Sequence, residues 1–473
     1  MKDTRPRVDI SKASDDVTRR ELLRRAGMGA LVLAYGASGA KTAVAGVTRF
    51  AGRELSGTLK ILQWSHFVPA YDKWFDGTYI KDWGQKNDVQ VTVDHVNLAE
   101  LPARGAAEVA AQSGHDLFQF LAPPASYEDS VLDLRDIVQE VTKKLGPMTR
   151  VAQRSSYNPR TKKYFGWPDN YVPDPVHWRS DYWQETGRGP NSWEDLRQAA
   201  AKLKSIGHPI GIGMSQELDS NMAMIALMQC HGAYIQNEEA RVVINSKQTR
   251  NALKTMRDIF KRGMTDEVFA WQAASNNQAY VAGRLSLALN AVSIARTLEG
   301  PPWVVTPARP DIGDVTHINP IPKGPVQRLG LEHVMGVYVI WKFAQNKAAA
   351  KQFLVDMQLN YTPHFQNSGF YNFPGWSNGV KGGFKAMHRL TAQDKHRPLG
   401  KYTILTTIAQ KYTANVGYPG YSNAAIDEVW NKFLIPQMFA QVAQGKMTPA
   451  DAASAADREI KQIFASWRTK KKI

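Results

Sequence analysis

Residues 59–93 constrain the fold more than any other stretch. Leu59-Lys60-Ile61-Leu62 is a short apolar run that reads as a strand entering a core. Trp64 to Pro69 reads as the loop at its carboxyl end. Tyr71, Phe75, Tyr79 and Trp83 then recur every four residues, which places them on one helix face. Lys86-Asn87-Asp88 is a turn, and Val89, Val91 and Val93 alternate as a second strand. Strand, helix and strand in this order predict a parallel pair with a right-handed crossover. In an open α/β sheet, ligands sit beyond the carboxyl ends of the strands, where Trp64 and His66 fall.

The pattern continues along the chain. Helices are predicted over 99–111, 132–144, 248–261 and 348–359, and strands over 115–121, 286–290 and 336–340. Ser192 with Asp195 three residues on is a capping box, so a helix starts there and runs to about Lys204. Residues 301–325 carry seven prolines and read as loop. Gly417-Tyr418-Pro419-Gly420-Tyr421 is a loop leading into a helix from Ala424. Thr448-Pro449-Ala450-Asp451 combines an N-cap, a proline at the first helical position and an acid in the first turn. At 473 residues there is room for two or three domains.

The first 45 residues read differently. Arg19-Arg20 with Leu22-Leu23 precedes a weakly apolar run, and Ala43-Val44-Ala45 is a small-x-small cleavage site. The twin arginines resemble the signal of the export route that carries folded proteins. A soluble periplasmic protein without a lipid anchor is the expectation, since no cysteine stands at the cleavage site. Cys230 is the only cysteine, so neither an intrachain disulfide nor a cysteine zinc site is possible. The net charge is +16, but the basic residues are scattered, whereas clustering marks a nucleic-acid footprint. No nucleic-acid partner is expected.

Catalytic signatures fail one by one. There is no H-E-x-x-H. Gly213-Met214-Ser215-Gln216-Glu217 begins like a nucleophile elbow but lacks its second glycine. Gly211-Ile212-Gly213 lacks the third glycine of a dinucleotide loop, and no phosphate loop occurs. The eleven histidines are dispersed, so no metal cluster is indicated. No catalytic residue and no cofactor are assigned. Aromatic residues instead stand at strand ends and in Pro/Gly-rich turns: Trp64, Phe120, Trp167, Trp178, Trp271, Tyr371, Trp376, Tyr418 and Tyr421. A flat ring face packs on the C–H face of a pyranose, while Asp, Asn and His bond its hydroxyls.

Several segments, in order, resemble the bacterial extracellular solute-binding proteins of sugar ABC importers, the broad family that includes maltose-binding protein. They are Lys163-Tyr164-Phe165-Gly166-Trp167-Pro168, then Trp178-Arg179-Ser180-Asp181 with Pro190-Asn191-Ser192-Trp193-Glu194-Asp195-Leu196, then Ala279-Tyr280-Val281-Ala282-Gly283-Arg284, and the closing helices over 442–463. The resemblance implies an α/β two-lobe periplasmic-binding fold with a hinge and an interlobe cleft. Its expected segments are 1–45 (signal peptide), 57–170 and 321–372 (first lobe), and 171–320 and 373–473 (second lobe). Crossings are expected near 168–176, 320–337 and 371–383. By family position, Trp64, His66, Phe120, Asp169, Asn170, Asn290, Tyr418 and Tyr421 face the cleft. Members often place a Trp just after the strand that ends here at Asn290; this chain does not, and Trp271 is expected in its stead. The implied partners are a sugar or oligosaccharide and the permease of an ABC importer, the chain acting as a monomer. A polyamine or polyol binder on the same fold and an exported glycoside hydrolase are the alternatives.

Overall fold

The structure, a computed structural model, describes residues 55–300 and 311–473; the signal-peptide reading lies outside them. Thirteen strands occur among the described residues: β1 (Thr58–Trp64), β2 (Gln90–Val96), β3 (Leu117–Phe120), β4 (Tyr157–Asn158), β5 (Lys163–Tyr164), β6 (Trp167–Pro173), β7 (Val176–Arg179), β8 (Ile210–Gly211), β9 (Leu287–Leu289), β10 (Thr316–Asn319), β11 (Gly330–Ile340), β12 (Phe373–Pro374) and β13 (Thr413–Ala414). The expected β1–β2 pair is parallel, with Ile61 opposite Val93.

Two sheets organise two lobes. The first runs β12-β6-β11-β3-β1-β2, with β13 beside β11; the second runs β10-β7-β9-β8. β1 and β3 are parallel and β11 runs antiparallel to β3 and β6, so the first sheet is mixed. Its interior strands are buried almost throughout, which is why they read as apolar runs; the edge strand β2 alternates between half-buried and exposed. Each sheet has its own apolar core, one around Ile61, Phe118 and Val339, the other around Leu196, Met256 and Leu287.

The aromatic helix departs from a plain α-helix. It is α-helical over Pro69–Trp74, π-helical over Phe75–Tyr79 and α-helical again over Ile80–Asn87. A four-residue repeat overshoots a 3.6-residue turn by about 40° per step. The wider π turn absorbs that drift. Tyr71, Phe75 and Tyr79 consequently stack in line, at 5.7 and 5.6 Å between ring centres.

The capping box forms as expected, Ser192 and Asp195 bonding reciprocally at the start of helix Trp193–Ser205. Two expectations need correction. Residues 316–319 are not loop: they form β10, paired antiparallel with β7, and Thr316 and Ile318 alternate inward. The strand expected over 336–340 begins six residues earlier, because Glu332 and His333 are buried polar residues that interrupt an otherwise apolar pattern.

The chain passes between sheets three times. It crosses from β6 to β7 at Pro173–Val176 and from β10 to β11 over residues 320–329. The third crossing lies at 415–424, not at 371–383. Phe373, Trp376, Val380, Met387, Leu405 and Ile408 all pack in the first core, so 373–409 belongs with the first lobe rather than the second. Val416 and Ala425 are the next residues in the second core. Among the described residues no helix is long and apolar enough to cross a membrane.

Candidate ligand-binding site

A cavity of about 470 Å³ opens between the lobes. The first lobe supplies Leu98, Leu101, Phe120 and Tyr127; the second supplies Gln216, Glu217, Trp271, Asp427, Trp430, Asn431 and Phe433. That size falls within the range of small-molecule sites.

Glycines seat two of its rings. Phe120 ends β3, and its ring lies where Gly105 of helix Leu101–Ala111 has no side chain: a Cβ there would stand 2.8 Å from Phe120 Cζ. Tyr127 extends this wall, its ring centre 5.1 Å from that of Phe120. Across the cavity the Trp271 indole lies over Gly211 and Gly213, where added Cβ atoms would stand 3.0 and 3.7 Å from the ring. The Ser215 hydroxyl donates to the Trp271 carbonyl at 2.7 Å and fixes that turn. Of the glycines that failed as a nucleotide loop, Gly211 makes room for Leu285 and the indole, and Gly213 for Ser220 and Glu217.

The polar lining is already committed to the protein. Glu217 caps helix Leu218–Cys230, accepting the Asp219 and Ser220 N–H groups at 2.7 and 2.6 Å and the Ser220 hydroxyl. Burial beside Asp219 pushes its pKa up, against the pull of those bonds. Asp427 accepts the Ser126 N–H and hydroxyl, at 2.9 and 2.5 Å, and the Asn431 amide at 2.7 Å. Burial raises its pKa to about 6. Phe433 adopts a left-handed φ of 53° just before helix Leu434–Ala443, a conformation that costs a bulky residue energy and aims this corner of the wall.

The nine residues expected in the cleft part company. Phe120 and Trp271 line the cavity together. Trp64 and His66 are buried beside it in sequence but not on its wall: the Trp64 ring packs against Phe67 and Tyr371. The Val68 N–H donates to His66 Nδ1 at 2.9 Å, so Nε2 carries the proton towards Asn372, 3.3 Å away. Burial lowers the His66 pKa to about 4, and the ring is neutral. Asp169 and Asn170 are buried in β6 and bond each other at 2.6 Å; burial lifts the Asp169 pKa to about 7. Asn290 is fully buried, with its side-chain nitrogen 2.9 Å from Asn276 Oδ1 and 3.1 Å from Asp219 Oδ2. Asp219 also lies 3.3 Å from His333 Nε2, whose Nδ1 is 3.0 Å from Asp174 in the first crossing. That chain ties the second lobe to β11 and to the first crossing.

Tyr418 and Tyr421 lie elsewhere. Tyr418 lines a separate cavity of about 620 Å³ against two crossings, with Arg150, Arg328 and Lys411. The Tyr421 ring sits under Arg154 at 5.3 Å and beside Tyr157. Apart from Phe120 and Trp271, the residues named on this wall carry little signal in the sequence. Trp430 and Asp427 read as ordinary positions of helix Ala424–Asn431, and Tyr127 as a turn residue after Pro123-Pro124. Glu217 alone had a signal, as an acid directly before a helix.

Residues 78–358 match the family model described as bacterial extracellular solute-binding protein. The chain belongs to that family. Among solved structures this solute-binding protein is similar to maltose-bound MalE3 of T. maritima, at a TM-score of 0.68 and 15% identity over 86% of this chain and 100% of that one. It is similar also to the GacH receptor of Streptomyces glaucescens GLA.O, solved unliganded and with acarbose, at 0.67 and 14% over 87% and 99%. A third is a sugar transporter protein from Arthrobacter chlorophenolicus A6 with bound laminaribiose, at 0.68 and 15% over 86% and 99%. At these identities the likeness is one of fold, and it extends over both lobes. A comparison with curated protein sequences gives no match.

Proposed function

We propose that this solute-binding protein captures a sugar or oligosaccharide in the interlobe cavity and hands it unchanged to the permease of an ABC importer. The observation that carries the reading is the wall itself: Phe120 and Tyr127 on one lobe face Trp271 and Trp430 on the other, with amides and carboxylates between them. Rings stack on the apolar faces of a pyranose, and Gln216, Asn431 and the carboxylates reach its hydroxyls. The solved relatives hold maltose, acarbose and laminaribiose, in keeping with this.

A polyamine fits less well. It needs free carboxylate oxygens, and Glu217 and Asp427 already accept three bonds each from protein donors. A sugar hydroxyl can donate to a remaining lone pair or accept from an amide without a net charge to balance. The protein works as a monomer in the periplasm, exported through its twin-arginine segment; replacing both Arg19 and Arg20 with Lys is expected to hold precursor in the cytoplasm.

A thermal-shift panel of sugars, polyols and polyamines tests the reading. A ligand at 100 times its Kd adds roughly 2.7 kcal/mol to a fold that alone binds it. Stabilisation by a carbohydrate, recovered chemically intact, is expected. Stabilisation by polyamines alone, or conversion of the sugar to product, overturns it.

A further inference from the structure

Away from the cavity the lobes also meet through charged side chains. Helix Ser293–Leu298 follows β9, and it is wedged between the cores: Ile294 and Leu298 pack in the second, Ala295 in the first. Arg296 reaches from it into the first lobe. Its Nε donates to the Gly369 carbonyl at 3.0 Å, and its Nη1 to Asp394 at 2.9 Å and to Glu299 at 2.7 Å. The guanidinium lies 3.8 Å from the centre of the Tyr402 ring. Glu299 answers from the second lobe: it lies 2.8 Å from Lys401 Nζ and accepts the Tyr402 hydroxyl. Gly369 is part of the fit. Its φ is +62°, and a Cβ would stand 2.9 Å from Arg296 Nε.

Among the described residues Arg296 and Lys401 pair with Glu299 and Asp394, which His396 also contacts, and the Lys401 side chain is only 2% exposed. Such a cluster is costly to split, because separation leaves partly desolvated charges without partners. The same pairing argues against a metal at Glu299, Asp394 and His396, the one grouping of potential metal ligands among the described residues: Arg296 and Lys401 already neutralise its carboxylates.

We propose that Arg296 and Glu299 form an interlobe latch that favours the closed form and thereby sets the affinity of the cavity for its solute. Arg296 does not line the cavity, so it is a positioning residue. Opening at the hinge draws helix Ser293–Leu298 away from Gly369, Asp394 and Lys401. The latch energy is therefore present in one state only, which is the condition for shifting a population. The affinity part rests on the function proposed above; the shape part does not.

Small-angle scattering on the ligand-free protein tests it, comparing wild type with Arg296→Met and Glu299→Gln. The wild type is expected to be compact and both variants to have a larger radius of gyration. If the closed fraction falls tenfold, the Kd for a sugar found by the panel weakens about tenfold, mostly through a faster off-rate. Folded variants with wild-type dimensions overturn the latch, as does a ligand-free wild type already as expanded as the variants. Should Arg296→Met fail to fold, Glu299→Gln and Asp394→Asn decide by the same measurement. Because scattering needs no ligand, a failed carbohydrate panel leaves this arm standing, while sugar binding with unchanged shapes removes the latch alone.

Discussion

Gly105 and Phe120 share one space: the Cβ that Gly105 lacks would stand 2.8 Å from Phe120 Cζ and 3.0 Å from Cε1. Two effects of Gly105→Ala therefore oppose each other. Alanine in a helix interior gains about 1 kcal/mol over glycine, while forcing an extra methyl into a packed site costs about 1 to 3 kcal/mol. The clash is expected to win, lowering stability by roughly 1 kcal/mol and weakening ligand binding by tilting the ring. Urea unfolding with a binding titration checks this; a stabilised variant with wild-type affinity shows that the ring yields freely.

Trp271→Ala and Phe120→Ala should each weaken sugar binding by about 1 to 3 kcal/mol, a tenfold to hundredfold rise in Kd. Tyr421→Ala should leave affinity within about twofold, since its ring lies under Arg154 and off the cavity wall. Calorimetric titration of the three variants separates the readings. Equal losses in all three remove the cavity from consideration as the site.

Trp64→Ala is predicted to act on stability. The ring is 4% exposed and contacts His66, Phe67 and Tyr371, so truncation should cost about 3 to 5 kcal/mol. A variant that melts like wild type yet loses its ligand would return Trp64 to the site.

Glu332 carries a pH signature. It is buried in β11, accepts the Val416 N–H at 2.9 Å and the Ser155 hydroxyl at 3.1 Å, and burial pushes its pKa up to about 8 despite those bonds. Between its unfolded pKa and 8 the folded state holds the extra proton. Its contribution is complete below the unfolded value and is lost as pH rises through about 8. The slope is at most about 1.4 kcal/mol per pH unit. Glu332→Gln should flatten the fall in melting temperature between pH 6 and pH 9. An unchanged profile shows that Glu332 ionises with an ordinary pKa.

The legible parts of this molecule are those where local physics decides. The β1–β2 unit follows from alternation and a turn, and the Ser192 cap from two side chains three residues apart. The third crossing is not legible, because nothing local distinguishes Phe373 and Trp376, which fill the first core, from rings in a linking loop. The site divides in the same way. Phe120 and Trp271 stand at strand ends or turns, where a ring without a helical stripe signals a ligand. Trp430 and Asp427 sit on a helix and look like core and solvent positions until the other lobe is brought up against them. Tyr418 and Tyr421 show the converse, turn aromatics whose surroundings are supplied by Tyr234, Arg154 and Tyr157, far away in the chain.

β3 lies between β1 and β11 in the first sheet, and the last residues of β11, Val337 to Ile340, pair with Phe120 to Leu117. More than two hundred residues separate β3 from β11. At a synthesis rate of about 5 to 20 residues per second, β3 waits roughly 10 to 40 s on the ribosome before β11 exists. Throughout that interval the nascent first lobe presents an unpaired edge and the apolar faces of Phe118 and Phe120, surfaces on which chains adhere to one another. A factor that shelters this half-built sheet is therefore expected to govern how much protein survives to fold, and a truncation ending before residue 330 should aggregate rather than yield an isolated lobe.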